Sequence, residues 1–380
     1  MENRSELQHR RPCPYDVPPV ATGRYYLVAI FGTVFAVVSV LENSFVFLLL
    51  ISRRKYRHSH FLYLIYLALS DSLLSAIYLP LVSLDRLKDF HRNIFLTRLW
   101  WRYFAPLLMM AHVLKTWICY LILAATMERF IVTSSSINKK WELLVRKKRN
   151  SIVVLSLILT LLMKAPVIAE VELYHFPNCS GLMEFQPILS DLTTSYLYGT
   201  TYRFYLRNMV TVFVPFALLA FFNARIVISL RKQERRAELF RLSASRRHKG
   251  KVKSATRMLV LVVCTYLGSN VLNVILTAWE HVDPDGLYFY HQTLYSYCAD
   301  MVSILSVMGC ALRVPIYMAY SADMRDATRG ILLKCNASLY DKKRRLDSGR
   351  APHTPSGGTE FDRLVTIIAT EFPADRNDQI

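Results

Sequence analysis

The sequence predicts an all-α integral membrane protein, a bundle of seven membrane-spanning helices followed by a short amphipathic eighth. Three observations carry this reading. Hydrophobic residues make up 53% of the 380, and they gather in stretches of about 20 or more, the length a helix needs to cross a bilayer core. An excess of 47 Lys and Arg over 28 Asp and Glu gives a net charge of +19. That charge is concentrated in 52–58, 139–149, 231–257 and 341–345, each just beyond an apolar segment. Such placement reads as cytoplasmic loops facing an anionic leaflet. It argues against nucleic acid as a partner, because no basic helix alternates with stacking aromatics and no zinc-knuckle spacing occurs.

Residues 1–24 form the N-terminal segment. Met1 to Gly23 is polar and carries Pro12, Pro14, Pro18 and Pro19, so it lacks the apolar region of a cleaved leader and the first span is expected to act as the targeting signal. The seven-span domain covers 25–320, with candidate helices at 25–51, 60–84, 104–131, 151–173, 204–230, 256–280 and 295–320. The fifth and sixth are joined by the basic connector 231–255. With the basic loops on one side and an odd number of spans, the N-terminus is expected outside the cell and the C-terminus in the cytoplasm of a multi-pass plasma membrane protein. Glycosylation sequons at Asn3 and Asn178 fall on the expected outer side. A third, at Asn336, falls inside and is expected to stay unmodified.

After the seventh span, 321–335 reads as an amphipathic helix on the lipid surface, with Met324, Thr328, Ile331 and Cys335 on one side. Cys335 is a candidate for palmitoylation, against a free cytoplasmic thiol. From 336 to 380, Ser, Thr, Pro and charge dominate, so the tail is expected to be disordered, with Ser348, Thr354, Ser356 and Thr359 open to kinases. The seven cysteines divide into Cys13, Cys179 and Cys298 near the outer side, Cys119, Cys264 and Cys310 inside spans, and Cys335 on the basic side. Only the first group meets an oxidising compartment.

Charged side chains at membrane depth cost about 2.5–3.5 kcal/mol each, so each one is a functional hypothesis. Here they are Glu42, Asp71, Lys115, Arg129, Lys164, Arg207 and Arg313. Lys164 is read as snorkelling outward. The ordered set Asn43, Asp71, Glu128-Arg129, Pro215 and Tyr317, spread over the spans at comparable depths, resembles the rhodopsin-like (class A) G-protein-coupled receptors over roughly residues 25–335. Within them, "TYLGSNVLNV" at 265–274 is similar to the sixth helix of invertebrate FMRFamide-type neuropeptide receptors.

The resemblance implies a heterotrimeric G protein as partner, with arrestin and receptor kinases acting on the tail. It implies that Glu128 holds Arg129 at rest, and that Arg129 contacts the G protein when the helices part, near Thr256 and Tyr317. Several positions depart from the family pattern. The stretch Ile94 to Ile118 lacks the family's third-helix cysteine, leaving Cys179 to pair with Cys13 or Cys298. Ser269-Asn270-Val271-Leu272 replaces Cys-Trp-x-Pro, removing the toggle and the kink, and Gly268 is the available source of pliability. Arg313 stands where an asparagine would face Asp71, so the two are expected to pair in place of the family's sodium site. The common sixth-helix acid is replaced by Val252, and a frequent fifth-helix tyrosine by Asn223.

The family's pocket positions place His112, Lys115, Arg207 and Asn208 around a cationic cavity with Asn270 at its floor. The bland alternative has Lys115 and Arg207 satisfied internally, for example by Asp300. Ala111 stands where amine receptors keep an acid, which argues against a monoamine. A rim of Glu170, Glu172, Glu184, Glu280, Asp283 and Asp285 above a cationic interior suits a short peptide, with tyrosines at the mouth adding surface. A retinal Schiff base has no lysine in 291–330, a zinc hydrolase has too few converging His and Asp, and a transporter's repeats are absent. The reading is therefore a receptor without cofactor or enzymatic activity. The alternative is a divergent chemosensory receptor for small environmental molecules.

Overall fold

The computed structural model describes residues 22–57, 59, 61–133, 139–175, 184–239, 246–283, 286 and 290–330. Among them, seven helices are long and apolar enough to cross a bilayer. They are α1 (Thr22–Ile51), α2 (Leu62–His91), α3 (Ile94–Thr133), α4 (Arg149–Ala169), α5 (Tyr196–Lys232), α6 (Ser254–Val282) and α7 (Gln292–Tyr320). Asn3, Cys13, Asn178, Cys179, Cys335 and the tail lie outside the described residues.

Most helices run further than their apolar windows. The second reaches His91 rather than 84, because its polar last turns are neutralised locally: Lys88 bonds to Asp85 and Asp89 and lies 4.6 Å from the centre of the Trp100 ring. The fourth stops earlier than 173. Past Ala169 the chain turns into a hairpin of β1 (Val171–His175) and β2 (Phe185–Leu189), antiparallel with Val171 opposite Leu189 and His175 opposite Phe185. Two five-residue strands leave little periodic signal, and Pro187 argues against a strand except at an edge.

Helix α3 is the axis of the bundle, packed on α2, α4, α5 and α6, while α1 packs on α2 and α7, and α6 on α5 and α7. Its buried residues, among them Ala111, Leu114, Trp117, Ile118, Leu121 and Ile122, belong to one continuous core with Leu67 and Ala68 of α2, Leu219 of α5 and Val263 of α6. Large apolar side chains such as Leu41, Leu155, Leu162 and Ile228 remain on the outside. In a membrane those are the lipid-facing positions.

Two of the π-helical stretches lie at prolines, while Tyr25–Phe31 and Tyr196–Leu206 are π-helical without one. Leu79–Ser83, containing Pro80, and Met209–Phe213, just before Pro215, are π-helical, as expected where proline removes an amide donor and widens the turn. The carbonyls at these turns are used: Trp100 Nε1 donates to Leu81 O at 3.1 Å, and the Tyr120 hydroxyl donates to Val210 O at 3.1 Å. By contrast α6, with no proline, continues a single α-helix that begins at Arg246. Gly268 has nothing within 4 Å of a built Cβ, whereas Gly309 of α7 presses on Ser269, whose Oγ would lie 2.9 Å from a Cβ there.

Past α7, residues 322–330 are helical, with Met324 and Ala327 buried. The Thr328 hydroxyl lies 3.7 Å from Met318 Sδ. The inward face thus includes Ala327 besides the expected Met324 and Thr328, and Ile331 lies beyond the described residues.

Candidate functional site

The bundle has two different ends, and each holds a constellation. At the end carrying the hairpin, a cavity of about 350 Å³ opens between α2, α3 and α7. Leu74, Ile77, Trp100, Phe104 and Leu108 give it an apolar wall, His112 and Lys115 line its α3 side, and Asp85, Arg86 and Asp300 carry its charge. Asp300 is held from two sides. Arg24 Nε donates to its Oδ2 at 2.7 Å, and Arg86 Nη2 donates to its Oδ1 at 3.1 Å. Lys115 has no hydrogen bond or ion pair among the described residues.

Of the five positions expected around one cavity, only His112 and Lys115 line it. Arg207 is turned away into a buried cluster at the α4–α5 junction, where both its terminal nitrogens bond to the Glu170 carboxylate. Arg203 Nε sits 3.2 Å from Glu170 Oε2, and the Tyr198 hydroxyl donates to Oε1 at 2.8 Å. Burial alone would raise the Glu170 carboxyl. The hydrogen bonds and charge of Arg207, the Tyr198 hydroxyl and Arg203 outweigh it and hold the group below the usual carboxylate range. Asn208 does not line the cavity. Asn270 bonds to its own helix, donating to Tyr266 O at 2.9 Å.

Lys164 corrects a second expectation. It does not snorkel: the side chain is buried at 7% exposure and has no hydrogen bond or ion pair among the described residues. It lies within the electrostatic neighbourhood of Lys115, Arg207 and Glu170. Three more of the rim acids are engaged, while Asp285 lies outside the described residues. Glu184 pairs with Arg98 at 2.9 Å, Glu280 accepts from the Tyr295 hydroxyl at 2.8 Å, and Asp283 accepts from the Gly286 amide at 2.8 Å. Cys298 is a free, half-buried thiol, and Cys13 and Cys179 lie outside the described residues.

Midway through the bundle, Asp71 and Arg313 form an ion pair, with exposures of 0% and 2%. Beside them Asn43 Nδ2 donates to Ser39 O at 2.9 Å and to Cys310 O at 3.2 Å, joining α1 to α7. Asp71 Oδ2, Asn43 Oδ1 and the Tyr317 hydroxyl are buried without a hydrogen-bond partner among the described residues.

At the far end, Glu128 does not hold Arg129. Its carboxylate takes a fork from Arg149, the first residue of α4, with Nε donating to Oε2 at 2.8 Å and Nη2 to Oε1. A bidentate guanidinium fork at the start of a helix is strong geometry for a carboxylate. Arg129 instead lines a small space with Tyr63, Leu64, Met258 and Leu259, bounded by α2 and α6. Thr256 is buried on α6 close by, and Tyr317 is fully buried on α7.

No family model matches this sequence, and a search of curated proteins found no match. The fold is nonetheless shared with solved structures. A crystal structure of squid rhodopsin superposes with a TM-score of 0.59 at 14% identity, covering 93% of this chain and 96% of that one. The chain is a multi-pass membrane protein with a rhodopsin-like seven-helix fold.

Proposed function

We propose that the protein is a cell-surface G-protein-coupled receptor for a short peptide, relaying its binding to a heterotrimeric G protein. The observation that carries the reading is the far end of α3. There Arg129 is left without an ion pair among the described residues and borders α6, while its neighbouring acid is tied to α4. A guanidinium facing a small gap between helices is placed to be uncovered when those helices separate. On this reading the hairpin end faces outward and the basic end faces the G protein, with lipid around the bundle.

The ligand enters the cavity between α2, α3 and α7. Its aromatic wall and convergent charges resemble sites for polar ligands with apolar bodies. Asn43, Asp71 and Arg313 form the polar core through which motion at the cavity reaches the far end, next to Tyr317. An Asp71–Arg313 pair occupies the charge that a sodium ion would otherwise balance. Arrestin and receptor kinases acting on the tail, glycosylation at Asn3 and Asn178, and palmitoylation at Cys335 belong to the same reading.

One observation favours a second reading. A cavity of about 350 Å³ suits a small molecule as well as one peptide side chain, which fits a chemosensory receptor for small acids. Second-messenger responses of cells expressing the chain to peptides with amidated and with free C-termini and to small acids separate the two. Response to none of them, at confirmed surface expression, contradicts both.

A further inference from the structure

The charges at the cavity mouth balance among themselves. Three carboxylates, Asp85, Asp89 and Asp300, face three cations, Arg24, Arg86 and Lys88, and each is bonded within the group. Deeper on α3, roughly four turns inward of Trp100, Lys115 is the remaining charge of the cavity lining, and no acid answers it among the described residues. A lone ammonium at this depth is costly, and such groups persist where a ligand completes them. The wall between the mouth and Lys115 is apolar and aromatic, with Trp100, Phe104 and Leu108 on the same helix. That space is larger than a bare inorganic ion fills.

We propose that the cavity takes a single carboxylate carried on an aromatic or aliphatic body, its oxygens on Lys115 Nζ and its body against the Trp100 and Phe104 wall. His112, one turn away on the same helix, supplies a further hydrogen bond. One negative charge answers Lys115, the one unpaired charge of the cavity lining among the described residues, whereas an amine repeats the charge already present. The carboxylate comes either from a free organic acid or from a peptide terminus or side chain. This deepens the ligand-pocket reading and is independent of G-protein coupling.

The test uses the full-length chain purified in lipid nanodiscs, with thermal unfolding as the readout and no G protein present. The probes are 3-phenylpropionate against 3-phenylpropionamide, a short peptide ending in a free phenylalanine carboxylate against its amidated form, and sodium chloride at equal concentration. The site predicts that at least one carboxylate raises the unfolding midpoint by about 2 °C or more at millimolar concentration while its amide and chloride do not. Which carboxylate acts identifies the source. Lys115→Met should weaken that stabilisation at least about tenfold and leave the ligand-free midpoint unchanged or higher, since an unanswered charge has been removed. Equal shifts from acid and amide, no shift from any carboxylate, persistence in Lys115→Met, or a fall in its ligand-free midpoint would each overturn the proposal. Loss of coupling with the carboxylate shift intact would instead count against the receptor reading alone.

Discussion

Glu128 and Arg149 grip each other across the α3–α4 boundary, with Arg149 Nε 2.8 Å from Glu128 Oε2, while Arg129, next to Glu128 in the chain, is left out. This end of α3 is therefore fastened to α4 rather than internally. Removing Arg149 leaves a nearly buried carboxylate without its fork, a change that costs about 3 kcal/mol or more. Arg149→Gln is expected to lower the unfolding temperature and to raise ligand-independent nucleotide exchange on G protein. Equal basal exchange in the two proteins would show that the pair is only structural.

Asp71 and Arg313 are the most completely buried ion pair in the described bundle. Asp71→Asn or Arg313→Met alone should destabilise the protein by about 3–5 kcal/mol, because each strands the other charge. The double variant should recover most of that loss. With the carboxylate already neutralised, sodium should leave agonist affinity unchanged; a clear dependence on sodium concentration would count against the pair as a substitute for the ion.

The Glu170 cluster sets an acid limit. Its carboxyl is held below the usual range in the folded protein by Arg207, Tyr198 and Arg203 against the opposing effect of burial. A group depressed in this way contributes stability that is present above its unfolded pKa, about 4.3, and that fades as pH falls through the folded value. Midpoints measured from pH 7 down to pH 3 should fall more steeply for the native chain than for Glu170→Gln. Parallel profiles would show that the cluster carries no linked proton.

Gly268 opens onto empty space within an unbroken α6. Gly268→Ala therefore adds a methyl without a clash and should stabilise the helix by about 1 kcal/mol. If the glycine supplies pliability that a proline kink would otherwise give, the same change should reduce agonist-driven exchange. Greater stability with undiminished signalling would remove that role.

The seven spans were legible because lipid leaves no other way to satisfy so long an apolar backbone segment. Asp71 and Arg313 could be matched because so few charges share their depth. The partner of Glu128 could not be read in the same way, since the basic run 139–149 offers several candidates and only the entry angle of α4 selects Arg149. Arg207 was misplaced for a related reason. Its partner Glu170 comes from the end of another helix, and the turn of the chain into β1 decides whether that carboxylate points outward to the rim or inward to α5. Lys164 was misread because a lysine near a helix end usually reaches water, and only the packing of α4 on α3 shows it buried. The cavity's position between α2, α3 and α7 depends on how those helices part, which no local pattern encodes.

On the proposed function, Arg129 engages the G protein once the helices separate. The most direct test of this is nucleotide exchange on purified heterotrimeric G protein driven by Arg149→Gln, compared with the same chain also carrying Arg129→Ala. The account predicts elevated exchange from the first and exchange at the receptor-free rate from the second, at matched surface expression. Undiminished exchange after the loss of Arg129 would contradict it.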